Sequence, residues 1–214
     1  MSALPTSSKI RSIGDLLRRL GDIPPDRVRF QPIPGTAIIA DLLEPENEFC
    51  ELVDGTLVEK PMGQEEAFFG GWIFRIITNF VYDRNLGYTT PGDGFTELPG
   101  GPVRGPDVSF FAWSSLPNRR RPTEPFPLLA PDLVVEVLSP SNTKAEMARK
   151  RSEYFQGGVR LYWEFDPPAN SLRVYTSLHQ FRDHASTDVL DGGSVLPGFS
   201  IPVADLWAEL DRHG

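Results

Sequence analysis

The sequence predicts one α/β or α+β domain, a mixed central β-sheet flanked by helices, preceded by an N-terminal helical arm. Three observations predict it. Strand-like runs fall before, between and after helical ones. One of them, DLVVEVL at 132–138, is so continuously apolar that it reads as a central strand buried on both faces. The chain has 214 residues, 40% hydrophobic and 23% charged, which is enough for a single packed core.

The elements follow in order. Ile10, Ile13, Leu16, Leu17 and Leu20 recur at helical spacing, and Gly21 with Pro24 and Pro25 ends that helix. A connector over 21–36 completes an arm assigned to residues 1–44, with the main domain over 45–214. CELVDGTLVEKP reads as two strands joined at Asp54-Gly55. Gln64 to Asn85 is the longest helix, with Phe68, Trp72, Ile76 and Phe80 at steps of four and Leu86-Gly87 closing it. The next stretch is turn-rich and ends in a strand from Asp107 to Trp113. A Pro- and Arg-containing loop covers 114–130. After the 132–138 strand, SPSNT supplies an N-cap for a helix from Lys144 to Gln156. RLYWEFD and SLRVYTS form two strands, and the tail is a short strand with a final helix.

Composition excludes several classes. The formal net charge of −8 argues against a large non-specific nucleic-acid binder, though not against a local basic contact. No apolar run is long enough for a membrane span, and MSALPTSSKI has no apolar core of a secretory signal. A single cysteine, Cys50, excludes an internal disulfide and a multi-cysteine zinc site, and a reducing, cytoplasmic compartment is expected. The phosphate loop, the Gly-x-Ser-x-Gly elbow and the His-Glu-x-x-His motif are missing. His179, His184 and His213 are scattered, so a catalytic histidine is not expected.

What stands out is carboxylates in apolar strands. Glu136 interrupts LVVEVL, a costly position unless the charge is paired or binds a cation. Asp107 opens another strand. Two such carboxylates at the ends of adjacent strands can hold Mg²⁺ or Mn²⁺, with a lysine to neutralise developing charge. Each has a plainer reading. Asp107 can cap the turn after Gly105-Pro106, and Asp132 can be a strand-entry residue. Glu136 has no ready structural explanation.

GPDVSFF, PDLVVEVLSPSN and KRSEYFQGGVRLYWEFDP together resemble the PD-(D/E)XK nuclease superfamily, and more narrowly its Uma-type group of endonucleases. ELVDGTLVEKP and LPGFSIPVADLW fit that group's opening and closing segments, so the resemblance covers about 45–208. It implies a restriction endonuclease-like core that hydrolyses DNA phosphodiesters with a metal-activated water. Asp107 and Glu136 match the metal-binding acids. Leu138 stands where the superfamily lysine would be, and the matching lysine lies on the following helix: Lys150 first, Lys144 second. Glu51 matches an accessory acid. Many relatives carry a histidine after the opening hairpin, where this chain has Gln64-Glu65-Glu66.

Tyr154 shares the Lys150 face and reads as a core aromatic or a substrate contact. Lys150 itself can be a solvated partner of Glu146. Arg119, Arg120 and Arg121 form a loop cluster able to touch phosphate. The expected partner is nucleic acid, with a homodimer, held through the N-terminal helix, as an expectation for two-strand cutting. The rival readings are a degenerate nuclease fold that binds nucleic acid or protein, and a structural protein with satisfied core carboxylates.

Overall fold

A computed structural model describes residues 10–61 and 63–211, so His213 and the opening nine residues lie outside the described part. Helix α1 spans Ile13–Leu20, capped by the Ser12 hydroxyl and stopped by Gly21 at φ +94°. Strands β1 (Cys50–Val53) and β2 (Thr56–Glu59) form the expected hairpin. Asp54 and Gly55 both take positive φ, the geometry of a tight primed turn. Leu16, Leu20, Ile23 and Val28 of the arm pack on Val53 and Val58 of this hairpin. Leu16 and Leu20 of the arm are therefore covered within the chain, whereas Ile13 is 59% exposed.

Helix α2 spans Gln64–Asp83. Its buried row is Phe69, Ile73, Ile77 and Val81, one residue along from the row read in the sequence. Phe68 is 53% exposed, and Trp72, Ile76 and Phe80 are only partly buried. Both rows are apolar, so periodicity alone does not choose between them. Gly87 does not close α2. It opens strand β3 (Gly87–Pro91), where a Cβ would lie 1.9 Å from the Phe111 carbonyl oxygen.

The turn-rich stretch holds two more short strands, β4 (Thr96–Glu97) and β5 (Val103–Arg104). Strand β6 is Val108–Ala112 and β7 is Leu133–Val137. Helix α3 runs Lys144–Gly157 with Thr143 as N-cap and Gly158, φ +113°, as its stop. Strands β8 (Leu161–Asp166), β9 (Ser171–Ser177), β10 (Gln180–His184), β11 (Val189–Gly192) and β12 (Leu196–Pro202) lead to α4 (Val203–Ala208).

The main sheet has the order β10-β9-β8-β7-β6-β3. Only β7 and β8 are parallel, joined by the α3 crossover; the other neighbours are antiparallel. The sheet is mixed and β7 is interior, as its apolar run implies. One face carries Val108, Phe110, Leu133, Val135 and Val137, covered by the buried row of α2 and by Phe199, Val203 and Trp207 of the tail. The other face carries Val134, Tyr162 and Tyr175 against Tyr154 of α3. A second sheet, β2-β1-β5-β4, lies against α3 through ion pairs. No helix among the described residues is long and apolar enough to cross a membrane.

Candidate functional site

Register makes the site. Val108 pairs with Val135 across antiparallel β6 and β7. One step further along that register sets Asp107 opposite Glu136. Asp107 Oδ2 accepts from the Val137 N–H at 2.7 Å, which ties the start of β6 to the end of β7. It is therefore not merely a turn cap. Glu136 is 4% exposed and points to the α3 side of the sheet, the same side as Val134.

Helix α3 delivers the partners of Glu136. The Tyr154 hydroxyl donates to Oε1 at 2.6 Å, and the Lys150 ammonium lies 3.5 Å from the same oxygen. Lys150 is 1% exposed and reaches Glu51 Oε1 at 3.0 Å. It points inward and is no solvated partner of Glu146, whose carboxylate takes a two-pronged bond from Arg27 at 2.7 and 3.0 Å. Strand β1 places Glu51, fully buried, where its second oxygen meets Arg104 at 2.6 Å. Arg104 continues to Glu153, Glu153 to Arg149, and Arg149 to Asp54, so alternating charges run from the site to the hairpin turn.

This wiring sets the protonation states. Burial alone would raise the Glu51 carboxyl, but Lys150 and Arg104 outweigh it and hold Glu51 at about 2. Burial pushes Glu136 up to about 7; Lys150 opposes that, and the charges of Asp107 and Glu51 add to it. Burial would lower Lys150, but Glu136 and Glu51 hold it above its ordinary value. Lys150 thus stays an ammonium, while Glu136 holds its proton more readily than an ordinary carboxyl.

Asp107 faces a cleft of about 220 Å³ between the β1–β2 hairpin and the first turns of α2. Lys60, just past β2, lines it. Its ammonium lies 2.8 Å from Asp107 Oδ1 and donates to the Gly92 carbonyl at 3.1 Å. A Cβ at Gly92 would already stand 3.0 Å from that ammonium. Sequence reasoning missed Lys60. Its only signal is a lysine directly after the strand paired with Glu51, which many surface hairpins share. The role of Arg104 as the clamp on Glu51 is equally hidden in the sequence. Of Gln64-Glu65-Glu66, Glu66 lines the cleft while the other two are exposed.

The structure thus brings together Asp107, Glu136, Lys150, Glu51 and Tyr154. It does not bring in the others. Lys144 is exposed at the start of α3, six residues or ~9 Å of helix rise from Lys150. Arg119, Arg120 and Arg121 are exposed beyond Ala112, at the far end of β6 and ~17 Å of strand from Asp107. Asp132, also at that far end, is a structural residue that accepts from Ala112 N, Ser115 and Arg160. Cys50 is buried, and burial pushes its thiol up.

The donor set fits a hard divalent cation. Asp107 and Glu136 supply two carboxylates from opposed positions of neighbouring strands, and both contacts to Glu136 fall on Oε1, so Oε2 accepts no hydrogen bond among the described residues. No group of three or more His, Cys, Asp or Glu residues able to hold an ion occurs among the described residues. Mg²⁺ and Mn²⁺ tolerate one or two protein carboxylates with water completing the shell. Lys60 would have to leave Asp107 Oδ1 for such an ion.

Comparison with known proteins agrees with this architecture. A crystal structure of a "putative nuclease belonging to DUF820" from Anabaena variabilis ATCC 29413 superposes with a TM-score of 0.70 at 22% identity. The match covers 80% of this chain and 96% of that one. No curated protein matches the sequence. The family model Uma2, described as "Putative restriction endonuclease", matches residues 38–204. That span is most of the chain and holds every residue of the cluster from Glu51 to Tyr154, so this protein belongs to the Uma2 family and has its restriction endonuclease-like fold.

Proposed function

We propose that the protein is a divalent-metal-dependent nuclease that hydrolyses DNA phosphodiesters at the Asp107–Glu136 pair. The observation that carries this reading is the pair itself: Asp107 and Glu136 lie opposite each other in the β6–β7 register, near enough that the Asp107 charge raises Glu136, with a buried ammonium fixed beside Glu136. Asp107 and Glu136 would hold Mg²⁺ or Mn²⁺, which when bound supplies Lewis-acid polarisation and activates water.

The chain's own residues do the rest. Lys150 stays protonated and keeps a fixed positive charge where negative charge grows on phosphorus. Glu51, itself clamped by Arg104, holds Lys150 in place without taking its proton. Tyr154 fixes the rotamer of Glu136 by donating to one oxygen. Lys60, released from Asp107, is placed to meet a phosphate in the cleft.

A second reading, a degenerate nuclease fold that only binds, is favoured by one observation: Lys60 already neutralises Asp107. Thermal melting with Mn²⁺, on wild type and on Asp107→Ala, separates the two. Under the nuclease reading Mn²⁺ raises the melting temperature of wild type, the rise vanishes in Asp107→Ala, and DNA is cut only with metal. No rise at millimolar Mn²⁺ and no cutting would sink it in favour of the binding module.

A further inference from the structure

We propose that the cleft beside Asp107 takes a single unpaired nucleotide of a DNA strand, with its base stacked on Phe49. The proposal rests on the nuclease reading above and narrows its substrate class.

Phe49 directly precedes β1 and sits at φ +63°. A bulky side chain enters that region only where its surroundings compel it, and such residues cluster at functional sites. The ring is left partly open: it is 36% exposed and takes part in no ring–ring contact among the described residues. It does line the cleft that holds Lys60 and Asp107. The Phe49 carbonyl accepts from the Lys60 N–H at 3.0 Å, so the ring and the ammonium belong to one rigid strand end.

The opposite wall has a gap in its side chains. Gly70 and Gly71 of α2 line the cleft, and a Cβ at Gly71 would meet nothing within 4 Å. Two adjacent glycines are unfavourable inside a helix. Gly71 is not forced by any protein neighbour, so the space it keeps open is available to a ligand. Phe74, one turn on, adds a second aromatic edge to the same wall.

Size decides between one strand and two. A space of about 220 Å³ admits one flat base, not paired strands. Stacking on an aromatic ring holds a base whatever its sequence, and Lys60 is the cation on the cleft wall that a flanking phosphate would meet.

The test is fluorescence anisotropy of the full chain with labelled oligodeoxynucleotides of one sequence, single-stranded or annealed, in EDTA so that nothing is cut. Wild type is expected to bind the single strand roughly tenfold or more tighter than the duplex, a comparison that needs no variant. Phe49→Gly is expected to weaken single-strand binding by about ten- to a hundredfold. Its melting temperature should stay close enough to wild type to keep it folded, because glycine accepts the positive φ and so offsets part of the packing lost with the ring. Phe49→Trp should retain binding. Duplex binding at least as tight as single-strand binding, or an unchanged Phe49→Gly, overturns the proposal and leaves the nuclease reading standing. Failure to bind either form, with no cutting in Mn²⁺, overturns the nuclease reading itself.

Discussion

Lys150→Met tests the electrostatic core of the site. The ammonium lies 3.0 Å from Glu51 Oε1 and 3.5 Å from Glu136 Oε1. At an effective dielectric of ~20, unit charges at such distances attract by roughly 5 kcal/mol each, much of which offsets the desolvation of a buried ammonium. Methionine fills a similar volume, so packing changes little. What remains is uneven. Glu51 keeps Arg104 at 2.6 Å and the Gly105 N–H at 3.3 Å, whereas Glu136 keeps only the Tyr154 hydroxyl. Removing one partner of a buried pair costs about 3–5 kcal/mol, and that is the expected loss in mildly alkaline buffer.

The pH dependence makes the prediction specific. Glu136 is raised from 4.5 to about 7 in the fold. A raised carboxyl stabilises the folded state below its unfolded value, and that contribution is lost as pH rises through 4.5 to about 7. Without Lys150 the folded value moves higher, so the loss continues above 7 at ~1.4 kcal/mol per pH unit. The penalty should therefore be smaller near pH ~6 than near pH ~8. Urea denaturation followed by tryptophan fluorescence across that range measures it without adding salt. A penalty that does not change with pH, or one under ~1 kcal/mol at the alkaline end, would refute the reasoning.

Three further outcomes are expected. Glu51, held at about 2 against 4.5 unfolded, stabilises the fold above 4.5, and roughly 3 kcal/mol is lost as pH falls from 4.5 toward 2; Glu51→Gln should flatten that acid limb in urea titrations. Lys60→Met frees Asp107 Oδ1 and should tighten Mn²⁺ binding by about tenfold or more by calorimetry, since a charge-assisted bond is worth ~1.5–3 kcal/mol; equal or weaker binding would show that Lys60 does not compete for the site. Arg27→Met strands the buried Glu146 with only Asn142 and should cost ~3–5 kcal/mol in urea, while adding Glu146→Gln should recover most of it.

Much of the architecture was legible where the signal is local. The apolar run 132–138 marked an interior strand, Asp54-Gly55 marked a hairpin, and the Thr143 and Gly158 caps bounded α3. Strands β3, β4 and β5 were not legible, because they sit among glycines and prolines whose turn character dominates the pattern, and β10 and β11 were missed because at least half of each is exposed and they carry no apolar run. The buried row of α2 was misplaced by one residue, because two adjacent apolar rows compete and only contact with the sheet and with the tail's Trp207 selects one.

The same division runs through the site. The sequence by itself determined that Glu136 needed a partner, because a carboxylate in an apolar strand is untenable alone. It also determined that Asp107 opens a strand and that a lysine follows on a helix. Only the tertiary structure decided that β6 and β7 pair in the register that opposes Asp107 to Glu136. It also decided that α3 turns Lys150 inward and hands Glu146 to Arg27 of the arm. Strand register and helix rotation are set by the packing of whole faces, and Lys60 reaches Asp107, 47 positions along the chain, only because two separate sheets meet at that point.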